Sequence, residues 1–379
     1  MRIVLANATV AQYPDGGGHW NWFLQYPLGL RDLGHDVYWL EVMRASEDPA
    51  RDAARIKALL ERTARYGLSD RVIALRAPTT PLGNLAEAEI YGATRDRLRQ
   101  LVGEADLLWN FWYGLKAPLL DEFRRTAFID VDPGHLQVCA AGYPELDIGE
   151  HDSYLTVGLN INEPDCGVPT LGRQWHSFRP FVYLPACEFT PDPGPQAPFT
   201  SVTHWTWEFL QWRGRSLSIS KRAAYRRYLE LPQFSERPFE LAADLPPADA
   251  ADFRQHGWRL VRPAEVAATP EQYRDYIRRS RAEFMCPKPI HLELRSGWFS
   301  DRSVVYLAAG RPVLAEDTGF TTKLPHGRGL VAFAALDEAR AAVAEIDRDY
   351  GRHQAAAREL ACDLFDSRRC LPQMIAACG

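Results

Sequence analysis

The sequence predicts an α/β protein built of two doubly wound halves joined by a linker. Three observations carry this expectation. The chain opens with a strand, glycine loop, helix and strand in succession; a second succession of the same kind follows beyond residue 199; and a proline-rich break separates them. At 379 residues the chain exceeds what one ordinary core fills and suits two α/β units.

The first strand is expected over residues 2–10, an apolar run closed by Pro14 and the triplet Gly16-Gly17-Gly18. Trp20, Phe23, Leu24 and Leu28 then recur at helical spacing, with Pro27 expected to kink the helix. Gly34 closes it, and residues 37–42 form the next strand. A helix over 52–65, a short strand over 71–75 and a helix over 86–102 follow, then strands at 105–110, 126–131 and 153–157. Pro185, Pro191, Pro193, Pro195 and Pro198 crowd the next stretch. Proline lacks the amide donor that a helix interior or central strand requires, so 186–198 is assigned as a linker after a first unit at 1–185. The second unit, 199–350, has strands expected at 199–207, 239–242, 258–261 and 312–315. Its helices are expected near 221–229, 270–281 and 303–309, with a buried segment at 290–294. Residues 336–377 are mostly helical in pattern, and 351–379 are expected to cross back to the first unit.

A content of 46% hydrophobic and 25% charged residues is that of a folded globular chain. A net charge of -5 without a dense basic run argues against nucleic acid as a partner. No stretch approaches the roughly 20 apolar residues of a membrane helix. The opening residues lack the pattern of a signal peptide, so a cytoplasmic location is expected. The seven cysteines include no CxxC pair, which points to buried, reduced thiols and away from a zinc knuckle or redox pair. A monomer and a homodimer are equally compatible with the sequence.

The most informative stretch is 296–320, SGWFSDRSVVYLAAGRPVLAEDTGF. Ser300 suits an N-cap, and Val304, Val305, Leu307 and Ala308 make a helix apolar on most sides, hence buried between layers. Gly310 suits the position just past its end. The first amides of such a helix lack helical partners, and with the positive end of its dipole they suit a phosphate. Arg302 and the hydroxyls of Ser300 and Ser303 add donors. Simple capping is the competing reading, and Asp301 favours it because a carboxylate competes with phosphate for the same field.

This segment resembles the donor-binding helix of GT-B glycosyltransferases, which ends in small residues and Gly-x-Pro-Val, here Ala308-Ala309-Gly310-Arg311-Pro312-Val313. The resemblance implies two Rossmann-like domains facing each other across a cleft, with a diphosphate held by Ser300, Asp301, Arg302 and Ser303. It implies sugar or acceptor contacts from Asp317, Thr318 and Gly319, and a basic contact from Lys288. It also implies that Gly17 and Gly18 approach the transferred sugar and that His19 serves as catalytic base. The glutamates that hold ribose in many GT-B enzymes are replaced, on alignment of the Gly-x-Pro, by Val305 and Gly297, so ribose contact must come from elsewhere. A nucleotide sugar is the implied co-substrate, with no further cofactor and no metal. Asp130-Val131-Asp132 spells the metal-holding Asp-x-Asp of the other large glycosyltransferase fold, but its position in the first half places it away from the expected diphosphate site.

Asp132 and His135 follow the C-terminal end of a strand, where α/β sheets bind ligands, and form a second candidate for the base. The alternative is an Asp-Pro-Gly turn. Thr203, His204, Trp205 and Trp207 suit either the donor or the core. Trp109, Trp112, Tyr113, Asn160, Asn162 and Glu163 have the composition of an acceptor groove. The expected activity is transfer of a sugar from a nucleotide diphosphate donor to a small-molecule or glycan acceptor. A nucleotide-sugar epimerase of the same fold and a non-catalytic binding protein are the alternatives. A dinucleotide oxidoreductase is disfavoured: the glycine triplet lacks GxGxxG spacing, and Glu41 is only a weak claimant to a ribose contact.

Overall fold

A computed structural model describes residues 1–111, 114–142, 146, 148–206 and 209–379. The first sheet contains β1 (Arg2–Asn7), β2 (Asp36–Arg44), β3 (Val72–Ala77), β4 (Glu89–Tyr91), β5 (Leu107–Phe111), β6 (Thr126–Asp130), β7 (Ser153–Thr156) and β8 (Trp175–Ser177). Its order is β4-β3-β2-β1-β5-β6-β7-β8, with β4 alone antiparallel to its neighbour. The second half begins at β9 (Phe199–Val202), followed by a two-stranded hairpin of β10 (Phe209–Trp212) and β11 (Arg215–Ser218). Then come β12 (Phe239–Ala242), β13 (Trp258–Val261), β14 (Ala282–Met285), β15 (Val313–Glu316) and β16 (Leu330–Phe333). The second sheet runs β13-β12-β9-β14-β15-β16, parallel throughout. Ile3, Val4 and Leu5 of β1 are wholly buried, as are Phe284 of β14 and Leu314 of β15, because helices cover both faces of a parallel sheet.

In each sheet the chain's first strand lies inside, with the order running outward in both directions from it. Such switch points open a crevice at the C-terminal ends of the strands. The loops after β1 and β9 therefore emerge where a ligand is expected.

Several elements depart from the expectations. Helix 86–102 begins only at Arg95, because Thr94 is its N-cap, accepting from the Arg97 N–H. Residues ahead of it form a short 3-10 turn and the edge strand β4. Gly92 adopts φ +86 there, and a Cβ on it would stand 2.6 Å from the Val72 carbonyl. The strand expected over 199–207 stops at Val202, and the hairpin β10–β11 was not anticipated; Arg213 (φ 48) and Gly214 (φ 72) make its tight turn. The segment near 290 is the short helix Pro289–Glu293, and β16 is an added edge strand.

The Gly17–Asp32 helix is apolar nearly all round because it is covered on several sides by the first sheet, the Pro270–Arg279 helix and the Ser367–Ala377 helix. A Cβ on Gly29 would lie 2.6 Å from Leu371, so the last helix sits directly on the first. Helix Tyr350–Leu364 packs on Asp301–Ala308, and Arg358 donates to the carbonyl of Cys187 at 3.0 Å. Buried Arg311 holds the 190–191 segment from inside, donating to Thr190 Oγ1 (2.8 Å) and the Pro191 carbonyl (2.9 Å). Among the described residues no helix is long and apolar enough to cross a membrane.

The halves meet at Gly17. Its N–H donates to the Ala267 carbonyl at 2.7 Å, and a Cβ there would stand 2.2 Å from the Thr269 carbonyl oxygen. Gly17→Ala is expected to push the halves apart at this point and lower stability by about 2 kcal/mol. A urea unfolding midpoint equal to that of the wild type would show that the contact does not persist in solution.

Candidate functional site

The site is assembled from the ends of β1 and β6 in the first half and from β9, β14 and the Asp301–Ala308 helix in the second. After β1, Asn7 Oδ1 accepts from the Ala8 N–H (2.8 Å) and the Thr9 hydroxyl (2.9 Å), and His19 Nε2 lies 2.8 Å from Thr9 Oγ1. The Tyr13 ring stands 5.5 Å from His19 and 6.4 Å from His204 of the other half. Burial, with the charge of His204, lowers the His19 pKa to about 4. Glu41 lies beneath this loop, accepting from the Ala11 N–H (2.6 Å) and Trp39 Nε1 (3.0 Å). It is a buried brace for the loop, which removes it as a ribose ligand; burial pushes its carboxyl up to about 8 against those bonds.

After β6, Asp130 is consumed internally by Thr156 Oγ1 (2.6 Å) and Gln137 Nε2 (2.7 Å). Asp132 crosses the seam. It pairs with Lys288, meets His291 Nε2 at 3.3 Å and meets His135 Nδ1 at 3.1 Å. The sequence reading that set Asp132 apart from the diphosphate side is therefore corrected, because the fold bonds it to a residue expected there. Burial raises the Asp132 carboxyl, but Lys288 and the histidine bonds outweigh it and hold it well below the usual range. For His135, burial opposes charge, yet the bond and charge of Asp132 prevail and lift it to about 9.

Lys221, the first residue of the Lys221–Arg226 helix, is 5% exposed, donates to the Cys286 carbonyl and lies 5.5 Å from the Trp298 ring centre. The His291 ring stacks on the same tryptophan at 4.6 Å. Burial lowers Lys221 to about 7, reinforced by the positive charges of Arg302 and Lys288. Burial likewise lowers His204, again reinforced by Arg302 and Lys288, and takes His291 to about 4 with Lys288 and Lys221 adding to it. Arg302 stands 3.8 Å from Glu283 of β14, whose two buried oxygens have no hydrogen-bond partner among the described residues. Burial pushes that carboxyl up to about 7 against the pull of Arg302. Lys221, Lys288 and Arg302 thus gather beside His204 and His291, and their positive charge adds to the burial that lowers Lys221, His204 and His291. An anion of high charge density relieves that repulsion.

No protein-family model matches the sequence, and no curated protein matches it. Solved structures do match over nearly the full length. Anabaena Alr3699/HepE in complex with UDP and glucose has a TM-score of 0.57 at 14% identity, covering 99% of this chain and 98% of that one. Sucrose-phosphate synthase from Thermosynechococcus elongatus has a TM-score of 0.55 at 13% identity, with 99% and 98% covered. AviGT4, a glycosyltransferase involved in avilamycin A biosynthesis, has a TM-score of 0.53 at 12% identity, with 100% and 97% covered. The chain has the GT-B fold.

Within this GT-B frame several expected contacts turn out to be committed elsewhere. Ser300 Oγ accepts from the Arg302 N–H at 3.2 Å and the residue is wholly buried, so it caps the helix. Ser303 is wholly buried too, and Arg302 is the more accessible of the two, at 19%. Asp301 turns toward a small cavity of about 20 Å³, lined also by Trp22, Tyr26, Val131 and Trp298. Asp317 caps the Gly319 N–H (2.8 Å) and takes the Thr321 hydroxyl (2.6 Å), while the Thr318 hydroxyl donates to the Trp298 carbonyl at 2.7 Å. Gly319, at φ +94, faces the Asn160 amide 2.6 Å from where a Cβ would lie. These three residues shape the loop after β15; Thr318 is buried, whereas Asp317 is half-buried. Gly17 and Gly18 pack on the second half, Gly17 against the 267–269 backbone and Gly18 against the Tyr273 ring. The Thr203 hydroxyl donates to the His204 carbonyl at 3.0 Å.

The acceptor-groove residues are also reassigned. Asn160 donates to the Gly319 carbonyl (3.0 Å), Asn162 to the Trp175 carbonyl (3.0 Å), and Glu163 pairs with Lys323. Trp109 is wholly buried, and Trp205 is a core residue whose Nε1 donates to Asp249 at 2.8 Å. Trp112, Tyr113 and Trp207 lie outside the described residues. A cavity of about 220 Å³ beside Pro185, Cys187, Arg274 and Val305 lies by the proline-rich segment, away from the basic cluster. Lys221, Glu283 and His291 were missed from sequence. A lysine as the first residue of a helix opposes the dipole, and that was the one available signal for Lys221.

Proposed function

We propose that the chain is a glycosyltransferase that moves a sugar from a nucleotide diphosphate donor to a small-molecule or glycan acceptor without a metal. The convergence of Lys221, Lys288, Arg302 and His204 on one seam of a GT-B fold carries this reading. These groups would hold the diphosphate, supplying the charge that a metal supplies elsewhere. The acceptor oxygen bonds to the anomeric carbon as the bond from that carbon to the diphosphate oxygen breaks. The diphosphate departs with the electron pair, and the acceptor's proton passes to His19 across the seam. Bound negative charge favours the protonated imidazole and makes His19 a better base than it is in the free protein. Uridine diphosphate is the first donor nucleotide to try, since structures of this fold are solved with UDP, UDP-glucose and UDP-2-fluoro glucose.

Thermal unfolding with UDP, GDP, dTDP and CDP tests the binding step. One nucleotide, present at about a hundred times its Kd, is expected to stabilise the chain by about 2.7 kcal/mol. Arg302→Ala is expected to weaken that response. No response to any of the four would sink the reading, and donor turnover without an acceptor would replace transfer by epimerisation.

A further inference from the structure

We infer that Asn7 and Thr9 lock His19 in the tautomer protonated at Nε2, which leaves Nδ1 as the atom that receives the acceptor's proton. The second clause rests on the function proposed above; the first does not.

Asn7, the last residue of β1, is wholly buried, and its Oδ1 is identified by the backbone N–H of Ala8, which requires an oxygen at 2.8 Å. The same Oδ1 lies 2.9 Å from Thr9 Oγ1. A carbonyl oxygen only accepts, so the single hydroxyl proton of Thr9 goes to Asn7. Thr9 Oγ1 then presents only lone pairs to His19 Nε2 at 2.8 Å, and two lone pairs facing each other at that distance repel. Nε2 must therefore carry a proton. Among the described residues no group hydrogen-bonds to Nδ1, and the flanking neighbours are the rings of Tyr13 at 5.5 Å and Trp22 at 5.6 Å. Burial keeps the imidazole neutral, and a proton on His204, from the other half, would oppose one on His19. One nitrogen is thus spent on orientation and the other is left for chemistry. Thr9 and Asn7 are positioning residues, and the loop that carries them is braced by Glu41 through the Ala11 N–H.

Two measurements on the full chain decide this. With 15N-histidine labelling, and His19→Gln to assign the signals, two-bond proton–nitrogen correlation between pH 6 and 8 is expected to show Nε2 protonated and Nδ1 bare. The opposite tautomer, or a charged ring, overturns the inference. Thr9→Val keeps the shape and removes the hydroxyl. It is expected to mix the tautomers and lower kcat by about a hundredfold with little change in donor KM, and Thr9→Ser is expected to restore most of the loss. A folded Thr9→Val with the wild-type tautomer overturns the lock, and one with wild-type kcat overturns its role. If no donor and acceptor pair turns over at all, the proposed function fails, while the tautomer is still decided by the resonance experiment.

Discussion

Lys221→Met is expected to make the free protein more stable and, at the same time, to abolish its response to nucleoside diphosphate. The amine is 5% exposed and bonds to a neutral carbonyl, with Arg302 and Lys288 adding unfavourable charge. Folding depresses its pKa from 10.5 to about 7, so the penalty is fully present below pH 7 and fades as pH rises toward 10.5. Methionine fills similar space without a charge to desolvate, and the gain below pH 7 is on the order of 4 kcal/mol. Binding a diphosphate reverses the situation, since the phosphate favours the ammonium form. Wild-type binding near pH 8 is therefore expected to take up a proton, visible in calorimetry as a dependence of the heat on buffer ionisation. Affinity is expected to fall as pH rises above 7. If the methionine variant binds UDP as tightly as the wild type, with the same proton uptake, this seam is not the phosphate site.

Asp132→Ala is the second large effect, and it has the opposite sign. The carboxylate is 12% exposed and serves Lys288, His135 and His291 together. Removing it takes the Asp132 charge from Lys288 and His135 and a hydrogen bond from the neutral His291, which costs about 3 kcal/mol near neutral pH. The pH dependence separates its parts. The Asp132 carboxyl is depressed by folding, so its contribution is present above the ordinary value of 3.8 and is lost as acid titrates the folded form. His135 is raised to about 9, so its contribution is complete below the ordinary value of 6.5 and is lost as pH rises through 9. The stability difference between wild type and His135→Ala is therefore expected to shrink from pH 6.5 to 9, by about 3 kcal/mol in all. Taking the difference removes the opposing titration of Lys221. A difference that stays flat over that range would show that His135 is not paired in solution.

Much of the local structure was legible from sequence. The first four elements follow from the apolar run of β1, the glycine triplet and the spacing of Trp20, Phe23, Leu24 and Leu28. The helix over 86–102 was misplaced because its Glu/Arg-rich start has helical composition, while Gly92 and the pairing of β4 with β3 override it. The hairpin β10–β11 escaped because its short strands carry no long alternation. At the site, Arg302, Lys288, His204, His19, Asp132 and His135 were all named from sequence. Their grouping was not: Asp132 was set away from the expected diphosphate site, and neither Lys221 nor Glu283 was named as a site residue.

Period, proline and glycine act within a few residues, so the sequence by itself determined the α/β alternation and the buried Asp301–Ala308 helix. Which charges share a desolvated seam was decided only by tertiary structure. Asp132 and Lys288 are 156 positions apart, and Lys221 and Cys286 are 65 apart. Nothing local to either partner encodes the distance between them. A pKa depends on that distance and on the depth of burial, and both arise only when the two sheets close on each other.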